Sequence, residues 1–111
     1  MDVLIELTKI LPTGTEIEDV FIALEPENIY RWRNTGASHI VIRNPGEESV
    51  KATFVTRYAE EELVLEDRNV NVPVGKTKVA GPFVKRTFND PLQDTTFTVD
   101  ESGASAAVFT Y

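Results

Sequence analysis

Turn-forming clusters recur along the chain at Pro12-Thr13-Gly14, Asn34-Thr35-Gly36, Asn44-Pro45-Gly46, Pro73-Val74-Gly75, Gly81-Pro82, Asn89-Asp90-Pro91 and Ser102-Gly103. Glycine reaches positive φ without steric cost and proline presets φ, so each cluster marks a physical reversal of the chain. Segments caught between reversals this close together predict short strands.

The residues between the turns have a period near two. Ala37, His39 and Val41 share one face while Ser38, Ile40 and Ile42 share the other, and Val70, Val72 and Val74 alternate with Asn69, Asn71 and Pro73. The first run is apolar on both faces toward its end, as a central strand under a second layer would be. Further strands are expected over residues 1–8, 50–57, 77–80, 95–100 and 104–111. Phe97 and Val99 oppose Thr96, Thr98 and Asp100, and Ala107, Phe109 and Tyr111 oppose Ala106, Val108 and Thr110. Tyr58-Ala59-Glu60-Glu61-Glu62-Leu63 continues no apolar stripe at helical spacing and is expected to be a charged loop crossing between sheets. The reading is an all-β, single-domain antiparallel β-sandwich over residues 1–111, with residues 1–10 as an extended N-terminal arm.

Composition narrows the function. At 111 residues the chain suffices for one two-layer core, and 41% apolar with 26% charged residues argues against a disordered or membrane chain. Eighteen acidic residues against 11 basic ones give a net charge of −7, a field that repels nucleic acid. The absence of cysteine removes disulfides, thiolate nucleophiles and cysteine-based metal sites. The start, Met1-Asp2-Val3-Leu4-Ile5-Glu6-Leu7, has no basic n-region followed by a long apolar stretch. Synthesis in a cytoplasm without membrane insertion is expected.

The chemical motifs reduce to structural ones. Gly75-Lys76-Thr77 lacks the earlier glycine of a phosphate loop, since Val70 stands there, and Gly81-Pro82 forbids a following helix; a hairpin turn is expected. His39 is the only histidine, so neither a Ser/His/Asp set nor a paired imidazole site can be built around it. Glu16/Glu18/Asp19, Glu25/Glu27, Glu47/Glu48, Glu60/Glu61/Glu62 and Glu66/Asp67 match no EF-hand spacing and read as solvated loop charge. No catalytic, cofactor-binding or metal-ligating residue is assigned, and no enzyme activity is expected. In Tyr30-Arg31-Trp32-Arg33 alternation directs the two aromatics to the core and leaves both arginines as interface candidates.

Asn34-Thr35-Gly36 leads into the apolar run His39-Ile40-Val41-Ile42-Arg43-Asn44, then Pro45-Gly46 and Val50-Lys51-Ala52-Thr53-Phe54. Later, alternating valines from Val70 pass through Gly75-Lys76-Thr77 to Gly81-Pro82-Phe83, then Phe88-Asn89-Asp90 and two closing strands. Over residues 34–111 this succession resembles small structural proteins encoded among the head genes of tailed bacteriophages. The N-terminal third differs from that pattern in length and charge.

The resemblance implies a capsid decoration or cement protein. Such a protein docks on the major capsid protein of the expanded head, can self-associate, needs no cofactor, and resides on the virion surface after synthesis in the host cytoplasm. Binding of this kind stabilises the assembled shell by mass action. Val3, Ile5 and Leu7 of the arm, able to add as a strand to a neighbouring chain, and Arg31 with Arg33 are the expected interface residues. The alternatives are a tail, neck or host-adhesion module and, further off, a small carboxylate-dependent enzyme.

Overall fold

The structure is a computed structural model that describes residues 1–56, 59–60, 63–64 and 68–110. Twelve strands follow in chain order: β1 (Asp2–Leu4), β2 (Leu7–Lys9), β3 (Ile22–Ala23), β4 (Ile29–Arg33), β5 (His39–Arg43), β6 (Val50–Phe54), β7 (Ala59–Glu60), β8 (Leu63–Val64), β9 (Arg68–Val72), β10 (Thr77–Ala80), β11 (Asp94–Val99) and β12 (Ser105–Thr110). One helical turn, α1 (Lys85–Phe88), and a 3-10 turn at Glu18–Val20 complete the described elements.

Two sheets form the sandwich. Sheet A has the order β1-β4-β11-β6-β9, and sheet B the order β10-β5-β12-β2, with β3 also on β12. From β3 to β6 and again from β9 to β12, successive strands alternate between the sheets. That is jelly-roll connectivity, two interlocked Greek keys.

The core is aromatic because period-two alternation delivers one large ring after another to the inner face of sheet A. Tyr30, Trp32, Phe54 and Phe97 are fully buried. Trp32 meets Phe83, Phe97 and Phe54 edge-on at centroid separations of 5.2, 5.9 and 6.2 Å. Ile40, Ile42, Ala106 and Val108 face them from sheet B. Both buried polar rings are satisfied: Trp32 Nε1 donates to Ser38 Oγ at 3.0 Å, and Tyr30 Oη accepts from the Glu25 amide at 2.7 Å.

Two asparagines hold the ends of the sandwich. Asn34 leaves β4 for sheet B and Asn44 leaves β5 for sheet A, and both are buried. Asn34 Nδ2 donates to the Phe83 carbonyl at 2.9 Å and to Asn89 Oδ1 at 2.8 Å, while its Oδ1 accepts from Ser38 Oγ and the Gly36 amide. Asn44 Nδ2 donates to the Glu48 and Val72 carbonyls at 2.7 and 2.9 Å, and its Oδ1 accepts the Gly46 amide. Each side-chain amide thus satisfies backbone groups that a crossing between sheets would leave unpaired.

The N-terminal segment departs from the expected antiparallel plan. The strand expected over residues 1–8 is two strands: β1 runs parallel to β4, and β2 runs parallel to β12. Between them Ile5 and Glu6 cross from one sheet to the other, with Ile5 buried in the core. Residues 1–10 therefore close one side of their own sandwich instead of extending from it. Alternation showed extended backbone here, but strand direction depends on distant partners that periodicity does not encode.

Two further expectations change. Pro73 to Lys76 is not a hairpin within one sheet; it carries the chain from β9 in sheet A to β10 in sheet B. The Lys76 amide donates to the Pro73 carbonyl, and Gly75 at φ 75° supplies the positive φ of a type II turn. In the stretch read as a charged loop, β7 and β8 pair antiparallel, Ala59 with Val64 and Glu60 with Leu63. Arg57, Tyr58 and Tyr111, assigned to strand ends or that loop, lie outside the described residues.

Candidate interaction surfaces

A charge cluster on the outer face of sheet A joins two arginines to three carboxylates. Its hub is Arg31, whose guanidinium reaches Asp2 at 3.0 Å, Asp90 at 3.4 Å and Asp94 at 3.5 Å. Asp94 also accepts from Arg33 Nε at 3.3 Å. Asp90 is fixed in turn, because its Oδ1 accepts the amides of Leu92 and Asp94. The Arg31 side chain is 22% exposed and its donors are largely taken up within the chain, whereas Arg33 remains 67% exposed. The two arginines read together as interface candidates thus differ in what they offer a partner.

The three apolar candidates also separate. Ile5 is in the core, and Val3 and Leu7 are half-buried against it. The exposed apolar side chains of the segment are Met1, Leu4 and Ile10. Leu4 borders a cavity of about 370 Å³ formed where the chain changes sheets, lined also by Glu6, Leu7, Asp19 and Val20.

The outer face of sheet B is built differently. Residues after β2 fold back across it, held where the Ile10 amide donates to the Thr110 carbonyl and Thr15 Oγ1 accepts the Leu11 amide. They cover Phe109, which is buried although it points away from the core. An apolar groove of about 320 Å³ remains open between Ile10, Leu11, Ile17 and Phe109. Beside it Phe21 packs edge-on against Phe109 at 6.3 Å, and the Arg43 guanidinium lies 3.8 Å from the centroid of the Phe21 ring. Sequence reasoning singled out none of these residues for function; the clue was two adjacent apolar positions, Ile10 and Leu11, just before a Pro-Thr-Gly turn, where a loop is ordinarily polar.

His39 is half-buried on this same face, in register with Phe109. Among the described residues no group of three or more His, Asp or Glu side chains is placed to hold a metal ion, and no helix is long and apolar enough to cross a membrane. The side chains of Glu60/Glu61/Glu62 and Glu66/Asp67 lie outside the described residues.

Family models, curated proteins and solved structures were each compared with the chain, and none matches.

Proposed function

We propose that this chain is a virion structural protein that binds the major capsid protein and stabilises the expanded phage head as a decoration or cement protein. The observation that carries the docking part is the open apolar groove over Phe109, a ring on the outer face of sheet B, whereas Tyr30, Trp32, Phe54, Phe83, Phe88 and Phe97 are packed in the core. An apolar groove rimmed by charge is a surface suited to protein association.

The virion part rests on the resemblance over residues 34–111, and the structure explains what those residues do. Asn34, Gly36, Asn44 and Gly46 make the corners, Val72 and Phe83 enter the core, and Gly75 turns the chain between sheets. The shared pattern is a framework pattern. The N-terminal third, which departs from that pattern, supplies Ile10, Leu11 and Ile17 to the groove and carries β1 and β2 at the edges of the two sheets on that side.

The test is addition of purified protein to expanded shells that lack it, followed by co-sedimentation. Saturable uptake with a fixed number of copies per shell is expected. Uptake that never saturates, or none, would sink the cement reading.

A further inference from the structure

A cavity of about 360 Å³ opens on the outer face of sheet B, where β5 ends and β10 and β12 begin, bordered by Arg43, Lys76, Thr77 and Ser105 and by no carboxylate side chain. Arg43 is in register with Thr77 on one side and Ser105 on the other, so a guanidinium stands between two hydroxyl side chains on one face. Neither Arg43 nor Lys76 forms an ion pair with a described residue. Stacking on Phe21 restrains the Arg43 fork without using its N–H donors. On a chain of net charge −7, two unneutralised cations beside two hydroxyls form a local site for a carboxylate.

One ring links this site to the apolar groove. Phe21 touches both, lying under Arg43 and packing edge-on against Phe109 in the groove wall. Ser105 and Phe109 stand four residues apart on β12, which at strand rise is about 13 Å. Charge also gives the face a direction: Glu16 and Glu18 flank Ile17 at the groove, while Arg43 and Lys76 hold the other end. We infer that the outer face of sheet B is a two-point docking site. It takes a protein segment that seats an apolar side chain in the groove and, about 13 Å away, presents a carboxylate to Arg43. The inference rests on the docking reading above and adds to it the chemistry and polarity of the partner.

The experiment compares shell uptake of the wild-type chain with Arg43→Glu, Lys76→Glu and Lys51→Glu, the last an equal charge change at an exposed position of sheet A. Circular dichroism melts establish that each variant is folded. The first two should weaken uptake by about tenfold or more, and Lys51→Glu by less than about twofold. If all three behave alike while the wild-type chain binds, the two-point site is wrong and shell docking stands. If the wild-type chain does not bind shells, shell docking falls, and a titration with acetyl-Leu-Ser-Thr-Ser-Asp-amide decides the site. Amide shifts at Thr77 and Ser105 that vanish when the peptide's Asp is replaced by Lys would support it; their absence would overturn it.

Discussion

The chain divides into a framework, residues 29–110, and an N-terminal quarter, residues 1–28, that follow opposite packing rules. Among the described residues nineteen apolar ones are buried, and of these only Ile5 and Leu24 belong to the N-terminal quarter, yet five of the ten large apolar side chains described as exposed lie there: Met1, Leu4, Ile10, Leu11 and Ile17. Apart from Phe109, the described Phe, Tyr and Trp rings of the framework turn inward, and the buried amides of Asn34 and Asn44 are paired. The N-terminal quarter anchors itself with β1 on sheet A and with β2 and β3 on sheet B, and leaves apolar surface outside. Stability is concentrated in the first, which also supplies Arg43, Lys76 and Phe109 to the docking face, and the second adds the exposed apolar side chains of the groove, Ile10, Leu11 and Ile17.

The largest effect is expected in the core. Trp32→Ala should cost about 3–5 kcal/mol, because it removes the ring that Phe54, Phe83 and Phe97 all meet and the Nε1 donor to Ser38 Oγ, and denaturant titration will read it. A loss under about 1 kcal/mol would mean that the aromatic cluster does not hold the sheets together.

Asn44→Asp is a finer probe. It preserves shape and the acceptor for Gly46 but replaces two N–H bonds to the Glu48 and Val72 carbonyls with a carboxylate facing them, so a loss of about 2–4 kcal/mol is expected. An equally stable Asp variant would show that the corner amide is dispensable. Gly81→Ala should cost about 1–3 kcal/mol, since φ is 128° there and the new Cβ would sit 2.8 Å from the Ser38 carbonyl oxygen. Thermal melts of the purified variant check this, and an unchanged midpoint would contradict it.

The smallest stability effect is expected on the other side of the comparison. Leu11→Ser and Ile17→Ser should each move stability by no more than about 0.5 kcal/mol, as surface positions do, because Leu11 is 47% and Ile17 36% exposed. Both should reduce shell uptake. Variants that destabilise the fold while leaving uptake intact would reverse the assignment of roles.

Much of the framework was legible in the sequence. Alternation directed Tyr30 and Trp32 to the core and put Ile40 with Ile42 on one face of their strand, and all four are buried, because period two follows from strand geometry alone. The turn clusters marked the crossings at Asn34, Asn44 and Gly75, although whether a reversal returns within a sheet or passes to the other one depends on long-range pairing, as the Pro73 to Lys76 turn shows. The candidate surface was less legible. Phe109 reads from its own strand as simply one of two faces; its environment is set by residues more than 90 positions away in sequence. Arg43 looks like the polar end of a strand until Phe21 is found beneath it.

The most direct test of the account is an electron cryo-microscopy reconstruction of expanded shells decorated with the full chain. The account predicts density at symmetry-related positions, with the outer face of sheet B and its Phe109 groove turned toward the shell and the Arg31 face of sheet A toward solvent. Regular density in the opposite orientation, or no regular density at saturating protein, would contradict it.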